Sequence, residues 1–214
     1  AVEISEQALE LAAPEIKPGL SELEIASLVE STARRLGAEG FAFSTIVAVG
    51  ENTAKPHHIP TTRKFSGSEP ILIDFGVRVS GYVADITKVF ISSRVDNNYE
   101  NILEVVKSAS RTAISAMKAG VNCSKIDDVA REELKKHGLH KYFLHGVGHG
   151  LGIDVHEPPR LARNSKETLM VGDVVTVEPG VYIHGRYGAR LEVDVYIGEA
   201  GVNVLSTKPT VIRL

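Results

Sequence analysis

Four carboxylates recur in two matching arrangements along this chain. Asp74 and Asp85 flank Ser80-Gly81, a turn-prone pair between two strand-like stretches, and Glu178 and Glu192 flank His184-Gly185-Arg186 in the same way. If the strands of each pair fold back at the turn, the two acids come to lie nearly opposite. A pseudo-twofold axis would then bring both pairs to one place. Like charges so close raise one another's pKa and resist burial unless cations neutralise them. Two divalent ions would balance four negative charges. Any one of these acids alone reads as an ordinary turn or solvated strand residue; the repetition turns the reading toward metal chemistry.

Histidine supplies a second kind of ligand. Residues 145–157 pack three histidines, His145, His149 and His156, and four glycines into thirteen positions. Glycine lets a backbone approach an ion or a substrate closely. The segment is no dinucleotide loop, because Leu151 stands where the third glycine of G-x-G-x-x-G is needed, and it lacks the H-E-x-x-H zinc pattern. A lone histidine is usually structural; three among glycines point to a site. His57 and His58 follow Lys55-Pro56 in a loop, where an imidazole could serve in proton transfer or simply face solvent. Oxygen ligands with one or two imidazoles suit manganese, cobalt, iron or zinc.

The elements that must position these residues follow from periodicity. Ile4, Ala8, Leu11, Ala12 and Ile16 recur at helical spacing until Pro18-Gly19. A second helix opens with Ser21-Glu22-Leu23-Glu24, a capping-box pattern, carries Ile25, Leu28, Val29 and Leu36, and stops at Gly37. Ile102, Val106, Ala109, Ala113 and Met117 mark a third, and Ile126, Val129, Ala130 and Leu134 a fourth that ends at Gly138. Strands are predicted over 44–49, 71–75, 82–91, 174–177 and 190–197, with the polar stretch 92–98 closing the first half.

Residues 16–37 can be laid on 117–138 without a gap, so that Lys17, Gly19, Ile25 and Gly37 fall on Lys118, Gly120, Ile126 and Gly138. Two amphipathic helices share part of such a match by chance, but an acidic strand follows each copy. The chain reads as two related αβ halves, about 1–92 and 99–214, within a single domain.

Composition narrows the function classes. Charged residues are 24% and the net charge is -3, so no basic excess favours nucleic acid. Cys123 is the only cysteine, which excludes an internal disulfide and a cysteine-based zinc site and agrees with a reducing, cytoplasmic compartment. No apolar run approaches the roughly 18 residues that span a bilayer, so no membrane partner is expected. The opening residues enter a helical pattern almost at once, as in a fragment or a processed form.

Taken together, Ile73-Asp74-Phe75-Gly76, Asp85-Ile86-Thr87, His145-x3-His149, Asp154-Val155-His156-Glu157, Thr176-Val177-Glu178-Pro179-Gly180 and Arg190-Leu191-Glu192 closely resemble the catalytic domain of the Xaa-Pro dipeptidase (prolidase) and aminopeptidase P group, relatives of methionine aminopeptidase. The resemblance covers essentially the whole chain. It implies the α+β pita-bread (creatinase/aminopeptidase) fold, with a curved, mainly antiparallel sheet covered by helices. It also implies two divalent ions, manganese or cobalt first, iron or zinc as further candidates. Asp85 and Glu192 would bridge them, Asp74 would bind one, and His149 with Glu178 the other.

By the same resemblance His57, His145, His156 and Arg190 line the substrate site, while His58 matches less well because the family position follows the proline directly. Glu178 would move the proton of a metal-activated water, and His57 or His156 would stabilise the tetrahedral intermediate or protonate the leaving nitrogen. The implied substrate is a short peptide with proline in second position. Methionine removal and a non-catalytic binding protein are the alternatives; the residue after Glu178-Pro179 argues against the first, and retention of all five ligands against the second. Two departures stand out. The large amino-terminal domain usual in prolidases is missing, which leaves a homodimer and substrate length open, and Val193 follows Glu192 where the family usually has an acid.

Overall fold

Helix-period and strand-period patterns sort the chain into two halves, each a larger sheet covered by helices. The computed structural model describes residues 1–207 and 210–214. In the first half, α1 (Val2–Ala12) and α2 (Glu22–Arg35) precede β1 (Gly40–Phe41), β2 (Ile46–Val49), β3 (Ile71–Phe75), β4 (Val77–Val79), β5 (Tyr82–Val83) and β6 (Ile86–Ile91). In the second, α3 (Asn97–Ala116) and α4 (Cys123–Lys136) precede β7 (Gly148–Gly150), β8 (Glu157–Leu161), β9 (Val174–Val177), β10 (Gly180–Tyr182), β11 (Gly188–Arg190), β12 (Val193–Gly198), β13 (Gly201–Val204) and β14 (Val211–Arg213). No helix among the described residues is long and apolar enough to cross a membrane.

The helix signals act as predicted at the cap of α2. The Ser21 hydroxyl accepts from the Glu24 N–H at 3.2 Å, and the Glu24 carboxylate accepts from the Ser21 N–H at 2.7 Å. From there Ile25, Val29 and Ala33 pack with Val47, Ile71, Ile73 and Phe75 in one core. In the second half Leu103, Val106 and Ala113 of α3 and Ile126, Ala130 and Leu134 of α4 pack on Val175, Val177, Val193 and Val195. Truncating a fully buried residue such as Phe75 to alanine costs about 3–5 kcal/mol. The first helix stops short of Ile16. Pro14 has no N–H to offer the Glu10 carbonyl, so a 3-10 turn over Ala13–Glu15 replaces the last α-helical turn.

The two larger sheets run in the orders β14-β6-β3-β2 and β13-β12-β9-β7-β8, and β1-β4-β5 and β10-β11 form two smaller ones. Among the described residues all strand pairings are antiparallel except β14 on β6, which ties residues 211–213 to the first sheet.

Each sheet carries an acidic hairpin, and the two differ in register. Val177 faces Val193 and Gly180 faces Arg190, so Glu178 and Glu192 lie opposite, as expected. In the first hairpin Asp74 faces Thr87, while Arg78 faces Val83. Continuing that register puts Gly76, not Asp74, opposite Asp85, so the predicted face-to-face aspartates are instead two residues out of step. Gly76 is obligatory there, since a Cβ on it would lie 1.8 Å from the Ala84 carbonyl oxygen. Ser80 and Gly81, with φ of 52° and 84°, form the two-residue turn.

The strands predicted over 82–91 and 190–197 each break in two. At the first break the Asp85 N–H leaves its own hairpin and donates to Asp194 Oδ2 at 3.1 Å; at the second the Glu192 N–H donates to the Thr87 carbonyl at 3.1 Å. The halves are therefore stitched together at the two residues that carry acids.

A carboxylate and histidine cluster between the two halves

The breaks open on a cavity of about 810 Å³. Asp74, Asp85, His149, Glu178, Glu192, His57, His145, His156 and Arg190 all line it, which are the nine side chains singled out in the sequence. Asp74 comes from β3, Asp85 and Glu192 from the two strand breaks, His149 from β7 and Glu178 from the end of β9. Asp85, His149 and Glu192 each present a ligand atom within 4.8 Å of the other two. His149 Nε2 stands 3.7 Å from Asp85 Oδ2 and 3.5 Å from Glu178 Oε1. Its Nδ1 donates to the Gly150 carbonyl at 3.0 Å, which leaves the Nε2 lone pair aimed at the carboxylates.

Burial forces the charges out of their usual ranges. Asp85 is pushed well above the carboxylate range by burial and then by Glu192, Asp74, Asp194 and Glu178. Burial likewise raises Glu192, with Glu178 and Asp74 adding to the effect, and raises Glu178 to about 8 against the pull of Arg190. His149 is lowered to about 4, chiefly by burial. Such a set repels its own charges unless protons or cations neutralise it. Two buried acceptors, Asp74 Oδ1 and Asp85 Oδ1, have no hydrogen-bond partner. Orphaned carboxylate oxygens beside an oriented imidazole fit divalent ions with hard-to-borderline preferences.

Arg190 organises the rest of the wall. Its Nη2 donates to Asp74 Oδ2 at 2.6 Å, its Nε to Thr87 Oγ1 at 3.0 Å and its Nη1 to the Tyr182 hydroxyl at 2.8 Å. Thr87 in turn donates to Glu192 Oε2 at 2.6 Å, and Tyr182 meets His145 Nε2 at 2.8 Å. Burial, with the charge of Arg190, lowers His145 to about 3 and keeps it neutral.

Sequence reasoning missed Tyr182, Thr87 and Asp194 as supports of the site. Tyr182 and Thr87 had a usable signal, because each lies within an acidic hairpin on the same strand face as a singled-out residue. Asp194 holds the backbone of Asp85 and is itself raised to about 8, chiefly by burial.

The histidines divide by role. His57 and His156 are exposed at the mouth, and the His156 ring lies 4.3 Å from that of His149. His58 is buried in the cavity wall, and its Nε2 is turned away to Glu22 Oε2 at 2.8 Å. The segment leading to His145 and His149 is clamped by α4. Arg131 donates to the carbonyls of Phe143 and His145, and Asp127, which pairs with Arg131 at 2.6 Å, accepts the Val147 N–H at 3.0 Å.

Known proteins share the fold that carries this cluster. Residues 1–199 match metallopeptidase family M24. The chain is 36% identical over 206 residues to the Xaa-Pro dipeptidase of Pyrococcus furiosus, covering 96% of this chain and 59% of that protein. The crystal structure of an X-Pro aminopeptidase from Thermotoga maritima superposes with a TM-score of 0.97 at 38% identity, covering 100% of this chain and 61% of the other. An Xaa-Pro dipeptidase from Bacillus anthracis gives 0.96 at 33% identity, with 100% and 61% coverage. The chain thus spans about three-fifths of the length of these relatives. With the family matched along nearly all its length and the cluster built on the shared framework, the chain belongs to metallopeptidase family M24 and has the pita-bread fold.

Proposed function

We propose that residues 1–214 act as one catalytic domain, built of halves 1–92 and 99–214, of a dinuclear metallopeptidase that cleaves the bond before a proline in second position. The observation that carries this reading is the convergence of Asp85, His149, Glu178 and Glu192 from both halves on one cavity, with orphaned oxygens on Asp74 and Asp85. The likeness to two Xaa-Pro dipeptidases and an X-Pro aminopeptidase supports proline as the second residue. The buried thiol of Cys123 suits a reducing cytoplasm.

In this reading Asp74, Asp85, His149, Glu178 and Glu192 would together hold two divalent ions. A pair of divalent ions held there supplies an activated water and polarises the scissile carbonyl. Glu178 takes the proton. An Xaa-Pro amide has no N–H, so the departing proline nitrogen must receive a proton as the bond breaks. His57 and His156, at the mouth, are placed to deliver it or to donate to the oxyanion. His145 and Arg190, locked through Tyr182, give the substrate a rigid polar wall.

The test is to strip the protein with a chelator, restore manganese, cobalt, iron or zinc singly, and assay Ala-Pro, an Xaa-Pro tripeptide and Met-Ala. Metal-dependent cleavage of the proline peptides is expected. Cleavage of Met-Ala alone would transfer the assignment to methionine removal, and failure of folded protein to take up metal would make it a binding module.

A further inference from the structure

The wall that carries His57 is held by a carboxylate that never reaches the cavity. Residues 56–63 form neither helix nor strand, yet Pro56, His57, His58, Ile59 and Pro60 all line the cavity. Glu22, in the first turn of α2, is fully buried behind them. Its Oε1 accepts from the Val49 N–H and from Asn52 Nδ2, both at 2.8 Å. Its Oε2 accepts from His58 Nε2 at 2.8 Å, the Thr61 N–H at 2.9 Å and the Thr61 hydroxyl at 2.6 Å. Five donors spread over residues 49–61 thus converge on one side chain.

The cap of α2 does not need Glu22, because Ser21 and Glu24 already supply it. A buried carboxylate is tolerated only when its lone pairs are filled, and here they are filled entirely by the loop and its base, helped by the positive end of α2. On the opposite side the loop is tied to the second half, where Arg190 Nη1 donates to the Pro56 carbonyl at 3.3 Å and the Gly188 N–H to Thr53 Oγ1 at 2.8 Å. The peptide carrying His57 is therefore suspended between Glu22 and Arg190.

We infer that Glu22 is a positioning residue that acts through His57, fixing the loop so that this imidazole stands at the cavity mouth. The inference deepens the peptidase reading and rests on it for its kinetic consequence. In Glu22→Gln the amide NH2 must face at least one of the loop's own N–H donors, so the wall loses part of its anchor while the cluster of ligands stays intact.

The experiment is a double-mutant cycle in the full chain with restored metal, using Glu22→Gln, His57→Ala and the pair. Loss of kcat by about 10- to 100-fold, the range of outer-shell support, is expected for Glu22→Gln. KM should stay within about threefold, and the substitution should have almost no further effect in the His57→Ala background. Equal losses in both backgrounds would make Glu22 merely structural and overturn the inference. A second readout needs no turnover: in chelated protein, Glu22→Gln must move the imidazole NMR signals of His57 and His58 but not those of His156. Unmoved His57 signals also overturn it. If the wild type cleaves no Xaa-Pro peptide, the peptidase reading fails while the NMR arm still decides the placement of His57. Should Glu22→Gln not fold, Thr61→Val, which removes one donor, carries the same cycle with a loss of about threefold.

Discussion

The two halves hold their histidine-bearing segments with opposite chemistry. In the first, a loop that turns N–H and imidazole donors inward is gathered by a lone carboxylate, Glu22. In the second, a segment that turns carbonyls inward is gathered by a guanidinium, Arg131, with Asp127 taking the one N–H. On the alignment of residues 16–37 with 117–138, Glu22 corresponds to Cys123, while Asp127 and Arg131 correspond to Ala26 and Glu30. The halves share caps, helices and hairpins, but each loop has selected its own anchor. A duplicated framework therefore fixes where the site lies, and the anchors fix which atoms reach it.

Breaking the point where both halves meet has the largest effect. Asp85→Ala removes a group that both halves surround, and turnover should fall at least about 10³-fold, equivalent to about 4 kcal/mol of lost transition-state stabilisation, in steady-state assays with metal in excess. Next comes the second half's anchor. Arg131→Met strands Asp127 without its partner and should cost about 3–5 kcal/mol in denaturant unfolding, whereas replacing both members by apolar residues should cost less. A similar loss in the single and double variants would show that the pair is not a unit.

A smaller effect is expected for Thr87→Val, which leaves Arg190 Nε and Glu192 Oε2 without their shared hydroxyl. About 1–3 kcal/mol of stability should go, measured on chelated protein.

The smallest effect separates the anchors by pH. Burial alone would raise Glu22, but hydrogen bonds from His58, Thr61, Asn52 and Val49 outweigh it and hold the carboxyl below its usual range. A depressed folded-state pKa stabilises the protein above the unfolded value, about 4.3, and that contribution fades as pH falls through the folded value. Unfolding free energies followed downward from about pH 5 should therefore decline less steeply in Glu22→Gln than in the wild type. Some slope remains, because Glu6 and Glu69 are also held low. An unchanged acid limb would remove Glu22 from the account of stability.

What could be read from the sequence was whatever depends on near neighbours. The Ser21–Glu24 box, the strands Ile71–Phe75 and Val174–Val177 and the Ser80-Gly81 turn all announce themselves within a few residues. The nine side chains chosen by type, spacing and resemblance do line one cavity. Strand β7 was invisible because Gly148-His149-Gly150 has no strand propensity; it is held by pairing of Gly150 with Val175 and by Thr176 Oγ1 on the His149 N–H. The breaks beside Asp85 and Glu192 were equally hidden, since the bonds that cause them join residues more than a hundred positions apart. Glu22 was read as part of a cap because its true partners lie 27 to 39 residues away.

The central claim is that the acids of both halves coexist because cations sit among them. Its most direct test is to titrate chelated, folded protein with manganese and with cobalt, measuring bound metal per chain and the melting temperature together. The account predicts two ions per wild-type chain with a rise in melting temperature, and loss of tight binding in Asp85→Ala. A wild-type chain that folds, melts unchanged and binds no metal would contradict it.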